Sequence, residues 1–164
     1  MIPDANEPIV TLLNDGGETA VKTEYRFDAP PAKMWEFLTD PKKLRFWFPC
    51  EMTIQLREKG SVIFTFPDDR PETGSVVAVD ENRLLAYTWG EELLRWTLKA
   101  VDDGCRLVLT DVLAKPSTAA NVAAGWHLTF LGLDDLLHER ELGQDPAIWD
   151  DFVRRYRTQF ANKP

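Results

Sequence analysis

Residues 84–113 read LLAYTWGEELLRWTLKAVDDGCRLVLTDVL. Leu85, Tyr87 and Trp89 alternate with Leu84, Ala86 and Thr88. Leu94, Trp96, Leu98 and Ala100 alternate with Arg95, Thr97 and Lys99, and Leu107 and Leu109 alternate with Arg106, Val108 and Thr110. A repeat of two sends successive side chains to opposite faces, which is the signature of strands. The links between these runs, Gly90-Glu91-Glu92 and Asp102-Asp103-Gly104, are too short for a crossover, so neighbouring strands run antiparallel. The same period reaches back to residue 50. Met52, Ile54 and Leu56 form one run, Val62, Phe64 and Phe66 a second, and residues 73–79 a third whose inward face the pattern leaves open.

Further upstream, residues 9–13 and 19–27 flank Asn14-Asp15-Gly16-Gly17, a hairpin signal because these residues accept positive φ. Pro30-Pro31 then opens a short helix, about Pro31 to Leu38. Asp40-Pro41 ends it and starts a second helical turn over Lys42–Phe46. Downstream of Lys115-Pro116 the period changes. Val122, Trp126, Thr129/Phe130, Leu133 and Leu136/Leu137 fall on one stripe of a helix over about 118–140, with Ser117 or Thr118 as its cap and Gly143 and Pro146 as its stop. A last helix, about 146–160, carries Ile148, Trp149, Phe152, Tyr156 and Phe160.

This order gives an α+β fold: a curved antiparallel β-sheet whose apolar face is covered by the long C-terminal helix, with two short helices between the opening strands and the meander. One domain is expected over 1–164, with its core at about 9–142. The 164 residues suffice for an ordinary core without staples. Nineteen basic against 27 acidic residues give a net charge of −8, which argues against nucleic acid or an anionic membrane surface as partner. No apolar run reaches the length of a membrane span. The first ten residues lack the basic and apolar segments of a secretion signal, and two cysteines make no disulfide framework. A cytoplasmic protein with reduced thiols is the expectation.

Inward positions carry Tyr25, Phe27, Trp35, Phe64, Phe66, Tyr87, Trp89, Trp96, Trp126 and Phe130. Such aromatics line a pocket or pack a core, and for any single one packing is the simpler reading. Phe46, Trp47 and Phe48 cannot all point inward from a turn. One lies near the surface, and the trio reads as a plug at the end of the cavity in preference to a gate. Asp111 points inward if its strand stays regular. If the strand ends or bulges first, the simpler reading, Asp111 is exposed. His127, Asp134 and His138 read as a solvated helix face, since two or three donors at that spacing do not make a zinc site. Cys50 and Cys105 read as packed side chains. No nucleophile, phosphate-loop or dinucleotide motif occurs, so no catalytic residue, metal or cofactor is assigned.

Three ordered segments carry a resemblance. They are Ala29-Pro30-Pro31-Ala32-Lys33-Met34-Trp35 with Leu38-Thr39-Asp40-Pro41 and Phe46-Trp47-Phe48-Pro49; Gly74-Ser75-Val76 with Leu84 to Trp89; and Gly125-Trp126-His127-Leu128 with Leu133-Asp134-Asp135-Leu136. Together, over about 19–142, they resemble the family of proteins like the activator of Hsp90 ATPase homologue 1, within the START/Bet v 1-like helix-grip superfamily. The resemblance implies a helix-grip fold with a cavity between sheet and long helix. Its candidate lining is Tyr25, Trp35, Trp47, Phe64, Phe66, Tyr87, Trp89, Trp96, Asp111, Trp126, His127 and Phe130, and for His127, the motif residue after Trp126, it implies a structural, hydrogen-bonding role near the helix start or a place at the cavity mouth. Binding of a small hydrophobic or amphipathic ligand is the function expected. The alternatives are an Hsp90-type co-chaperone, or a cyclase- or hydrolase-type enzyme using Asp111, His127 or Tyr87. A homodimer is compatible with the superfamily.

Overall fold

The computed structural model describes residues 7–141 and 146–161. The hairpin signal folds as β1 (Ile9–Asp15) and β2 (Glu18–Phe27), and Gly16 and Gly17 take the positive φ angles (58° and 87°) the tight turn requires. Helices α1 (Pro31–Thr39) and α2 (Pro41–Leu44) follow. The second begins one residue earlier than the sequence suggested, because the Asp40 side chain accepts from the Lys42 amide and Pro41 takes the first helical position. The meander is β3 (Glu51–Ile54), β4 (Ser61–Thr65), β5 (Glu72–Asp80), β6 (Leu84–Trp89), β7 (Glu92–Val101) and β8 (Gly104–Val112).

All eight strands join one antiparallel sheet in the order β1-β2-β8-β7-β6-β5-β4-β3. The opening hairpin is therefore sewn to the last strand, and the short helices lie on the path from β2 to the far edge. The inward face of residues 73–79 could not be read because β5 changes register between Val76 and Ala78, which breaks the repeat of two. Val76 is the buried position.

After a 3-10 turn over Pro116–Thr118 comes α3 (Ala119–Leu137). Thr118 precedes it, yet its hydroxyl donates back to the Lys115 carbonyl and does not cap the helix. The helix also stops short of residue 140. Glu139 takes φ 55°, the Arg140 amide bonds to Asp135 O, and the Arg140 side chain turns back onto Asp134 and Asp135. Gly143, expected as the stop, lies outside the described residues. Helix α4 (Pro146–Ala161) ends the fold.

Two apolar clusters hold these layers together. The larger lies between the sheet, α1, α2 and the sheet-facing stripe of α3 (Trp126, Phe130, Leu133). Trp96 sits within it, edge-on to Trp47 and Trp126 at 5.9 and 5.7 Å and stacked on Phe130 at 6.1 Å. The smaller cluster joins Val10, Val21 and Leu113 to Ala120, Ala123 and Ala124 of α3 and to Val153 and Tyr156 of α4. Helix α3 is thus covered on two sides, by sheet and by α4.

Candidate functional site

The interior is not hollow along its length. Phe64, Tyr87, Trp96 and Phe130 are sealed in the core, and Trp35 packs beside them. Tyr87 accepts the Trp96 indole N–H at 3.0 Å, and burial holds its phenol far above the ordinary range. Phe66 is half-buried against the same cluster. One open space lies where the ends of β6 and β8 and the start of β7 meet the first half of α3. This pocket has a volume of about 490 Å³. Trp89, Trp126, Val122 and Pro49 supply its apolar walls, while Glu72, Glu92, Asp111 and Thr129 supply polar groups.

Asp111 is the group that organises it. Strand β8 stays regular through Val112, paired with β7 on one side and β2 on the other, so Asp111 falls on the inward face with Leu107 and Leu109. The reading of an exposed Asp111 is corrected on this point: the strand neither bulges nor ends before it, and the residue is 2% exposed. Its Oδ2 accepts the Trp126 indole N–H at 2.9 Å. Its Oδ1 is buried without a hydrogen-bond partner. Burial, chiefly, pushes the carboxyl up to about 8. The neighbouring Glu92 carboxyl pushes the same way, by hydrogen bonding and by charge, and the Trp126 N–H pulls against them. A proton on Asp111 relieves the buried charge.

Trp89 is held by stacking on Phe64 at 4.3 Å with rings nearly parallel, and it leans on Phe48 at 5.6 Å. Of the aromatic trio at the junction, Phe46 is the exposed member at 58%, while Trp47 and Phe48 are buried. The Trp47 indole donates to the Phe37 carbonyl at 2.9 Å, which fixes the plug to α1. Trp47 borders a smaller recess of about 260 Å³ with Phe48, Pro49 and Thr129, so it adjoins the pocket without lining it.

Tyr25 belongs to a different recess at the other end of α3, about 630 Å³, with Asp28, Asp134, His138 and Arg140. That recess is larger, but its charges answer one another. Asp134 accepts from Arg140 at 2.6 Å and from the Tyr25 hydroxyl at 3.2 Å, and His138 pairs with Asp28 at 2.9 Å. The Asp134 backbone carbonyl and then the Asp28 carboxylate hold His138 above its ordinary pKa. Burial and then Asp134 push the Tyr25 phenol to about 12. A network that satisfies itself leaves little for a ligand's charge.

His127 is the second correction. It does not line the sheet-side cavity, and it is not solvated. It follows Trp126 by one residue, hence by about 100° around the helix. That turns it from the sheet to α4, where its Nδ1 meets the Tyr156 hydroxyl at 2.6 Å and its ring lies 4.2 Å from that of Phe152. Burial lowers its pKa to about 4 and raises that of Tyr156 to about 12. Asp111, Tyr87 and His127 thus do not converge on one point. Cys50 and Cys105 are buried free thiols, and burial raises both.

Of the twelve candidates, Trp89, Asp111 and Trp126 meet in the pocket. Glu72, Glu92, Pro49 and Val122 were not among them. The glutamates stand beside turns at the first positions of β5 and β7, where a charged residue reads as solvated. Glu92 faces Trp89 across the β6–β7 ladder, and that register was the only signal that could have placed it.

Comparison with known proteins agrees with this architecture. A conserved protein of unknown function from Enterococcus faecalis superposes with a TM-score of 0.72 at 24% identity, covering 91% of each chain. CalU16 from Micromonospora echinospora superposes at 0.74 with 20% identity, over 93% of this chain and 96% of that one. A protein from Mesorhizobium loti gives 0.67 at 21% identity, over 74% and 98%. At these identities the likeness shows the fold. No curated protein matches the chain. The family described as activator of Hsp90 ATPase homolog 1-like protein matches residues 28–138, which run from the end of β2 through the meander to the end of α3. With two thirds of its length so matched, the chain belongs to the activator of Hsp90 ATPase homologue 1-like family.

Proposed function

We propose that the protein binds a small amphipathic molecule in the pocket beneath the first half of α3. The observation that carries this reading is the open space of about 490 Å³ walled by Trp89, Trp126, Val122 and Pro49, with one buried carboxyl at its inner surface. Its size and its mixture of aromatic walls with few polar groups are those of small-molecule sites. The ligand's apolar part would lie on the indoles and its polar part toward Asp111, Glu92 and Glu72. The reading is narrower than a cavity running the length of the helix, because the middle of that space is filled by Phe64, Trp96 and Phe130.

No helix among the described residues is long and apolar enough to cross a membrane. The two buried free thiols suit a reducing compartment, which supports a cytoplasmic site of action. The family's name raises activation of an Hsp90-type ATPase as another reading, but no described surface favours it over the pocket. Stimulation of the host's own Hsp90 ATPase by the purified chain would establish it.

The test is native mass spectrometry of the freshly purified protein, then organic extraction. A mass excess that vanishes on denaturation gives the ligand's mass, and its disappearance in a Trp89→Ala Val122→Ala variant assigns it to the pocket. The same spectrum reports whether the protein is a homodimer. A ligand retained undiminished by that variant places the site elsewhere and defeats the reading.

A further inference from the structure

Among the residues that line the pocket there are three carboxyl groups, Glu72, Glu92 and Asp111, and no lysine, arginine or histidine. They are not gathered as a metal site would gather them: among the described residues no three histidine, cysteine, aspartate or glutamate side chains are placed to hold an ion. A second observation points to a ligand. Asp111 Oδ1 is buried, unpartnered and part of the pocket wall, so a hydrogen-bond donor is missing there.

Resting on the ligand reading above, we propose that the polar end of the ligand is a protonated primary amine, an alkylammonium whose N–H groups reach Asp111 Oδ1 and Glu92 while its tail lies on Trp89 and Trp126. In the empty pocket a proton on Asp111 cancels its charge. An ammonium brings both the donor and the positive charge, so it replaces that proton and leaves Asp111 ionised. A fatty acid would bring a further carboxyl to a pocket lined by three of them and by no cation. An alcohol would supply a donor but no charge. The groups facing Asp111 are Glu92 from β7, Glu72 from β5, Tyr87 from β6 and Trp126 from α3. On β2 the residue in register is the uncharged Val21.

The test is isothermal titration calorimetry of the intact protein at pH 7 with n-octylamine, 1-octanol and octanoate, run in phosphate and in Tris. The amine is expected to bind at least tenfold more tightly than the alcohol, with octanoate weakest, and to release close to one proton per amine bound, read from the difference between the buffers. Asp111→Asn keeps the shape and removes the charge. It should abolish the proton release and bring the amine to within about threefold of the alcohol, with the alcohol unchanged. Glu92→Gln, at the pocket rim, should narrow the preference by severalfold and serves should Asp111→Asn fail to fold. Equal binding of amine and alcohol by the wild type, or an undiminished preference in both variants, overturns the amine and leaves the pocket standing. Binding of neither amine nor alcohol overturns the pocket reading itself.

Discussion

Below about pH 4, Asp111 carries a proton in the folded and the unfolded chain alike. Between the ordinary carboxylate value of 3.8 and about 8 the folded protein keeps a proton that the unfolded chain gives up, so this residue makes stability fall as pH rises through that window. Asp111→Asn imitates the protonated form. Measured by urea unfolding at a series of pH values, the variant should gain on the wild type steadily from pH 4 to 8 and level off above. A difference that stays constant with pH would sink the assignment. Trp126→Phe removes the N–H that Asp111 Oδ2 accepts and should cost about 1–3 kcal/mol, the ordinary penalty for a buried acceptor left unpaired. At this scale the sequence was partly legible. The alternation placed Asp111 on the inward face, but whether β8 held its register to Val112 was decided by β2 and β7 on either side, and those pairings are long-range.

Helix α4 is held to α3 by a contact that acid should loosen. His127 has a folded pKa of about 4, below its ordinary 6.5, because burial disfavours the imidazolium. Its contribution is complete above about pH 6.5 and is lost as pH falls toward 4. Protection factors of the α4 amides, taken against the intrinsic slowing of exchange in acid, should therefore fall over that range, ahead of those in β7 and β8. Tyr156→Phe takes the partner from His127 Nδ1 and should cost about 1–3 kcal/mol, with the loss of exchange protection concentrated in α4. In the sheet, a Cβ on Gly74 would fall 1.8 Å from the Thr88 carbonyl oxygen, which is backbone and cannot swing aside. Gly74→Ala should thus lower the thermal midpoint by several degrees, corresponding to about 2 kcal/mol or more. Elements themselves were largely legible: eight strands and four helices follow the switch from a period of 2 to one of 3.6. The second buried face of α3 was not. It is made of Ala120, Ala123 and Ala124, which carry little apolar signal, and it exists because α4 covers it.

For the whole molecule, the antiparallel order from β2 through β8 to β3 makes most sheet contacts local hairpins, with one exception that closes the fold. The pairing of β2 with β8 brings Phe27 opposite Cys105. A topology with such a non-local closure folds in milliseconds to seconds, and stopped-flow tryptophan fluorescence should find the main refolding phase there and not in microseconds. The periods picked out the aromatics that would lie inside, but not that they would fill the middle of the grip and leave space toward its ends. That outcome depends on how Trp96 meets Trp47, Trp126 and Phe130, which is packing and not pattern. The same closure governs how the protein is made on the ribosome. The β1–β2 hairpin is synthesised early, when neither the backbone edge of β2 that pairs with β8 nor its inward face of Val21, Tyr25 and Phe27 has a partner. At about 5–20 residues per second, the roughly eighty residues between Phe27 and β8 take on the order of 4–16 s to arrive. For that interval the nascent chain presents an open strand edge and an uncovered aromatic face to whatever else is in the cell.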